Sequence, residues 1–453
     1  MADAPRQGGI SLEQRSIDYI PESERHGQPN TLFTLWFASN VQITAVATGA
    51  LAVVLGLNLE WAIITILVGN LVGGLFMAYH SIQGPKMGVP QMIQSRAQFG
   101  MFGATLPVVV VLVMYLGFFV SSGILGGQAI GSLLHVSTPV GIVLADAVVL
   151  LITWVGYDLF HAYDRVVSAL SFVIFLVLLI KLAGMMPAHA PKSSVTVGTV
   201  LLVISIFAAW QITWAPYVSD YSRYLPRATR SARTFWYTYL GSAVGACFIM
   251  IVGAVAAVVA ESQVSSNAPD YLAGLFPQVK WLFLLVIVLG VFAANLENLY
   301  GAFLTAFTSL SPSGKLAPGL RGRVIAIAAS SNFLTNLSNF VLFLLYFLIP
   351  WTAINLTDYY LVRHGKYDIE GIFRIDGPYG RVNWTALAIY AVTVVVELPF
   401  MNSSFFEGPV AKALGGGDIA WIIGLVLAGG LYYASRRLTA TEEAAPSAAG
   451  TQP

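Results

Sequence analysis

Residues 205–226 read SIFAAWQITWAPYVSDYSRYLP, and the fold turns on how this stretch is understood. It begins as lipid-compatible helix, gathers Trp210, Gln211, Trp214 and Pro216 at mid-span, and runs out into Asp220, Arg223 and Arg227 at a membrane surface. Lipid cannot satisfy an amide, two indoles and the carbonyls a proline frees, so a helix that only had to span would not carry them there. The stretch therefore reads as one wall of a solute site.

Composition supports a membrane setting for the whole chain. Of 453 residues, 57% are hydrophobic and 10% charged, against roughly 25% charged in an ordinary soluble domain. About twelve apolar stretches approach the roughly 20 residues that cross the hydrocarbon core as helix. Nearly all of the chain is thus assigned to the bilayer, which leaves no soluble domain for catalysis or nucleotide binding. A net charge of +1 offers no nucleic-acid footprint, and the single Cys247 excludes disulfides and thiolate metal sites. The expected partners are a small solute and the lipid itself, with no obligate protein partner.

The twelve segments are placed at residues 31–57, 60–79, 104–130, 139–157, 165–186, 205–226, 235–260, 281–309, 322–336, 338–361, 384–401 and 419–435. A polar loop follows the second, where Gly84-Pro85, Gly88 and Pro90 forbid a continuing helix. Residues 1–30 lack the apolar core and cleavage site of a signal peptide, and 437–453 read as a disordered tail. With the N-terminus in the cytoplasm, 19 of the 23 Lys and Arg fall on cytoplasmic loops, the exceptions being Lys181, Lys192, Lys280 and Lys412. One missed helix would invert every later loop, so the bias supports both the count and cytoplasmic termini. It also leaves no cation near mid-membrane, which favours a neutral solute.

Polar residues inside the spans locate the site. Segment 1 holds Asn40 and Gln42 in Ser39-Asn40-Val41-Gln42-Ile43-Thr44, and segment 6 repeats Gln-Ile-Thr at Gln211. Five spans apart, the two cross in opposite directions, as in an inverted repeat whose first helices are broken around a substrate. The amides have two uses open to them, reading a solute or joining helices. Segment 3 offers Phe118 and Ser122 beside Gly123, Gly126 and Gly127; segment 8 offers Asn295, Glu297 and Asn298. Glu297, the clearest acid at mid-depth, is a candidate proton carrier or solute partner, with a structural bond across to another helix as the alternative. Asp146 and Glu397 lie nearer the outer side, and a structural role suits Asp146 better. No two of the six histidines stand at metal-ligand spacing, and phosphate loops and nucleophile elbows are absent, which argues against an enzyme or an ATP-driven pump.

Four blocks resemble the nucleobase:cation symporter-1 family, the purine/cytosine permeases. They are Ile20-Pro21-Glu22-Ser23-Glu24-Arg25-His26 with Trp36-Phe37-Ala38-Ser39-Asn40; Gly84-Pro85-Lys86-Met87-Gly88 with Ser95-Arg96-Ala97-Gln98-Phe99-Gly100; Trp214 through Tyr224; and Pro350 through Tyr360 with Arg363. The resemblance implies an all-α LeuT-type fold, twelve helices in a five-plus-five inverted repeat (31–186 and 196–362) plus two extra helices (384–436), working by alternating access. It implies a planar heterocycle between aromatics of helices 3 and 6, its edge read by amides of helices 1, 3 and 8. Phe118 takes the helix-3 aromatic position, Ser122 that of a helix-3 amide, and Gln211 falls where an aromatic is expected, so the stacking ring is Trp210 or Trp214.

Coupling in similar sodium-dependent permeases uses hydroxyls of helix 8 facing carbonyls of helix 1. Here that helix reads Phe292-Ala293-Ala294-Asn295, so the coupling set is Ala38, Val41, Ala294 and Glu297, with H+ on Glu297 preferred over Na+. No organic cofactor is expected. The reading is a secondary importer of a nucleobase or a ring such as hydroxymethylpyrimidine, hydantoin or allantoin. An amino-acid transporter of the same architecture is the nearest competitor, and it would need groups for a zwitterion where amides and aromatics stand.

Overall fold

The computed structural model describes residues 17–155, 158–187, 194–310 and 333–444, apart from the side chains of 153–165, 307–310 and 439–444. Residues 1–16, 156–157, 188–193, 311–332 (with most of segment 9) and 445–453 lie outside that description. The main helices are α1 (Thr31–Asn40), α2 (Ile43–Val54), α3 (Leu59–Ser81), α4 (Thr105–Leu134), α5 (Thr138–Val155), α6 (Asp158–Ala183) and α7 (Val197–Ile212). They continue with α8 (Val218–Ser222), α9 (Ser231–Gly274), α10 (Lys280–Leu310), α11 (Phe333–Leu356), α12 (Trp384–Glu397) and α13 (Ala420–Ala444). A two-residue antiparallel pairing, Asn402–Ser403 with Phe406–Glu407, lies between α12 and α13.

Six helices among the described residues are long and apolar enough to cross a membrane singly, and α1 with α2 pass together across a 61° bend. The apolar helices α5, α7 and α12 are shorter. α9 kinks at Ala260 and again at Asn267, whose Oδ1 accepts from the Asp270 amide (3.1 Å) and restarts the helix around Pro269.

Small residues let the central helices touch backbone to backbone. A Cβ on Gly49 of α2 would stand 2.0 Å from the Met250 carbonyl oxygen of α9, and one on Gly253 would stand 1.9 Å from that of Val46. At the crossing of α3 and α7, a Cβ on Gly73 would lie 2.5 Å from the Ala208 oxygen. α2 and the second half of α7 are buried as a result.

Three expectations are corrected. The polar connection after α3, expected as a loop, forms three one-turn helices, one of them running through Gly84-Pro85, and Gln83, Gln91, Gln94 and Gln98 are buried in them. Their amides bond one another, α11 and the turn after it: Gln83 Nε2 donates to Asn355 Oδ1 (2.7 Å), Gln91 Nε2 to Gln83 Oε1 (3.2 Å), and Gln98 Nε2 to Asp358 Oδ2 (3.0 Å). The division of segments 9 and 10 near residue 337 is absent, because α11 runs unbroken from Phe333. The polar residues at that boundary are satisfied, Ser338 by the Thr335 carbonyl and Asn339 by Ser404. The last helix, finally, passes Arg437 and reaches Ala444.

The residues before α1 form a strap under this bundle. The buried Arg25 donates to the Ile20 and Pro85 carbonyls (2.8 and 2.7 Å), Ile20 N donates to Gly88 O, and Gly27 N donates to Tyr224 O. The strap thus joins the chain leaving α3 to the chain leaving α8.

Candidate substrate site

Two helix breaks build the site. α1 stops at Asn40, Gln42 is extended (φ −142°, ψ 162°), and α2 restarts at Ile43. A break frees carbonyls that buried chain must satisfy. Asn40 Nδ2 takes that of Trp36 (2.7 Å) and Gln42 Nε2 that of Ser39 (3.0 Å). α7 ends at Ile212, Thr213 Oγ1 takes the Trp210 carbonyl (2.7 Å), and Pro216, which has no N–H to donate, precedes α8.

The two Gln-Ile-Thr repeats do not do the same work. Gln42 sits at its break and lines a cavity, whereas Gln211 is still helical and faces away from it. Gln211 Nε2 donates to Asn70 Oδ1 (3.0 Å) and its Oε1 accepts from Ser242 (2.7 Å). Asn40 donates to the same Ser242 and accepts from Trp210 Nε1 (2.7 Å). Asn40 and Gln211 therefore join α1, α3, α7 and α9 behind the cavity wall, the alternative use that the sequence left open. Asn295 also lies behind the wall, with Nδ2 on the Phe119 carbonyl (3.2 Å).

The cavity wall holds Gln42, Phe118, Ser122, Trp210, Trp214, Ala294, Glu297 and Asn298 from the expected set. Thr44, Tyr115, Thr213 and Tyr217 complete it and were missed as site residues. Tyr115 could have been found, since residues 115, 118 and 122 follow the i, i+3, i+7 spacing of one helix face. Tyr217 gave a weaker signal as the residue after Pro216. The rings meet edge to face: Phe118 and Trp210 have centroids 5.7 Å apart at 85°, Trp210 and Trp214 6.2 Å apart at 71°. Tyr115 and Tyr217 stand 5.2 Å apart, and Phe340 of α11 packs on Phe118 at 5.3 Å. The Thr44 and Ser122 hydroxyls share a hydrogen bond (3.1 Å).

Three polar atoms in this wall, Gln42 Oε1, Tyr115 Oη and Trp214 Nε1, are buried and have no protein partner. Leaving such groups unpaired costs roughly 1–3 kcal/mol each.

A smaller cavity adjoins the first and shares Gln42, Ala294 and Glu297 with it. It gathers Ala38 and Val41 from the α1 break with Ala293 and Gly290 of α10, which brings the expected coupling set to one place. Ser39 Oγ donates to Glu297 Oε1 (3.2 Å). Ser168 and Ser171 of α6 also line it, hydroxyls from a segment that the sequence had not implicated. Among the described residues neither cavity is lined by Lys or Arg, and no three His, Cys, Asp or Glu converge as a metal site.

Comparison with known proteins gives the following. Residues 19–424 match a family described as permease for cytosine/purines, uracil, thiamine, allantoin. The chain is 43% identical over 439 residues to YxlA of Bacillus subtilis, a purine-cytosine permease by name, covering 94% of this chain and 96% of that one. Purine-cytosine permease FCY21 of Saccharomyces cerevisiae is 26% identical over 453 residues, covering 92% and 84%. Among solved structures, the nucleobase-cation-symport-1 transporter Mhp1, closed with bromovinylhydantoin bound, superposes with a TM-score of 0.77 at 20% identity, covering 95% and 96%. At that identity the likeness is one of fold.

Proposed function

The chain belongs to the family of permeases for cytosine/purines, uracil, thiamine and allantoin, and on that premise we propose that it imports a nucleobase or a related planar heterocycle. A membrane transporter of this family takes its specificity from its site. The observation that carries the reading is the set of buried, partnerless atoms, Gln42 Oε1, Tyr115 Oη and Trp214 Nε1, in a cavity walled by aromatic rings. A nucleobase has faces that stack on rings and an edge that alternates donors and acceptors, so it answers both features.

Roles divide between the two tryptophans. Trp210, its Nε1 held by Asn40 and its ring opposite Phe118, is the stacking face; Trp214 turns its N–H to the solute edge. Two rings sandwiching a third stand roughly 7 Å apart, twice a van der Waals contact. At 5.7 Å and edge to face, Phe118 and Trp210 must reorient to admit the solute.

Transport is proposed to run by alternating access in a twelve-span, five-plus-five inverted repeat with two extra helices, in the cell membrane with both termini cytoplasmic. The coupling ion is a proton carried by Glu297, which faces both cavities. Sodium in the smaller cavity is the second reading, and Ser168 and Ser171 favour it by supplying oxygens that α10 lacks there. Uptake that persists without sodium and collapses with a protonophore is the expected result; strict sodium dependence would replace Glu297 with those serines.

A thermal-shift screen of purified protein against purines, pyrimidines, hydantoins and amino acids tests the substrate class. Stabilisation by at least one ring compound at concentrations near its Kd is expected, reaching about 2.7 kcal/mol at a hundredfold excess over Kd. Stabilisation by an amino acid alone would overturn the reading.

A further inference from the structure

Two amides of the cavity wall have their orientation set by backbone carbonyls, which can only accept. Gln42 Nε2 donates to the Ser39 carbonyl (3.0 Å), so the buried atom without a partner is its oxygen, Oε1. The second amide is fixed through a relay. Asn295 Nδ2 donates to the Phe119 carbonyl (3.2 Å), which turns Asn295 Oδ1 toward Asn298. Asn298 Nδ2 donates to that oxygen (3.4 Å), and Oδ1 is the end of Asn298 left for the cavity. Flipping either relay amide would set two oxygens against each other, or two N–H groups. Two walls, from the α1 break and from α10, thus present acceptors, while Trp214 on the α7 side presents an indole N–H, which can only donate. The buried hydroxyl of Tyr115 in the same wall can do either and so fits whichever group it meets.

We infer that Asn295, without touching the solute, sets the polarity of this site through Asn298, and that the site selects rings carrying an amino group beside an unprotonated ring nitrogen. The inference rests on the heterocycle reading above and narrows it. An exocyclic amine has two hydrogens, enough for Gln42 Oε1 and Asn298 Oδ1, and the neighbouring ring nitrogen accepts from Trp214. Cytosine, adenine and guanine all carry that pair. In uracil, hypoxanthine and xanthine a carbonyl replaces the amine and an N–H replaces the ring acceptor, so the same edge would set oxygen against oxygen and N–H against N–H. Sites that hydrogen-bond a substrate group reject analogues that cannot return the bond, because buried polar atoms are then left unpaired.

The test measures Kd on the full-length purified protein for the size-matched pairs cytosine and uracil, adenine and hypoxanthine, guanine and xanthine. For any pair that binds, the amino member is expected to bind about tenfold tighter or better. In Asn295→Leu the relay is gone, Asn298 turns freely, and the amino-to-oxo ratio is expected to fall below about threefold. A residue that only filled space would weaken both members equally and keep the ratio. If Asn295→Leu does not accumulate as folded protein, Asn295→Ala, smaller and equally without a group to relay, is measured in its place.

The outcomes separate. Binding of no base of either kind overturns the heterocycle reading itself. Binding of oxo members as tightly as amino members leaves that reading standing and overturns the polarity argument. A preserved ratio in the Asn295 variants removes Asn295 from the role.

Discussion

Glu297→Gln is expected to lower accumulation against a gradient by about tenfold or more while changing solute exchange by less than about threefold. Glutamine keeps the size of the side chain and can still accept from Ser39 Oγ, the contact made by Glu297 Oε1 at 3.2 Å. What it loses is the ability to take up and release a proton where the two cavities meet. Exchange needs the solute site and the alternation of its access, and neither requires net proton movement. Parallel assays of gradient-driven uptake and counterflow in proteoliposomes read the two activities separately. Equal loss of both would move Glu297 from coupling to solute binding, and full retention of accumulation would place the coupling group elsewhere.

Gly253→Val is expected to prevent recovery of stable protein, and Gly253→Ala to lower the melting temperature by several degrees. The first methyl group would already stand 1.9 Å from the Val46 carbonyl oxygen, so α2 and α9 must separate to admit it. Overpacking at an ordinary core position costs about 1–3 kcal/mol, and here the obstacle is rigid backbone. The injury would reach function as well, because α2 begins at the break that presents Gln42. Gly430 is the control: it is exposed on α13, and an added Cβ there meets nothing within 4 Å. Gly430→Ala should leave the melting temperature unchanged or raise it, since alanine gains roughly 1 kcal/mol over glycine within a helix. Equal melting temperatures for Gly253→Val and the unaltered protein would refute the close crossing.

The site was more legible in the sequence than the scaffold that holds it. Polar residues at mid-membrane are rare enough to stand out, and Gln42, Phe118, Trp210, Trp214, Glu297 and Asn298 all fall on one cavity. Which way an amide faces was not legible. Gln42 and Gln211 share their neighbours Ile and Thr, yet one faces the cavity and the other bonds Asn70 and Ser242, because their breaks fall at different registers. The serines of α6 escaped notice for a related reason: Ser168 and Ser171 look like helix packing until the α1 break is seen opposite them. The connection at residues 83–99 misled in the other direction. Its Gly, Pro and Gln residues are those of a loop, and only partners far along the chain, Asn355 on α11 and Asp358 just beyond it, make their burial possible.

The shared wall of the two cavities has a thermodynamic consequence. Gln42, Ala294 and Glu297 face both, so an occupant of either cavity fixes side chains that the other occupant must use. Linkage then demands symmetry: whatever factor an ion contributes to the affinity for the solute, the solute returns to the affinity for the ion. On the proposed coupling of ion and solute, three residues common to both cavities mean that this reciprocity needs no signal carried across the bundle, and cooperativity would be a local property of one partition.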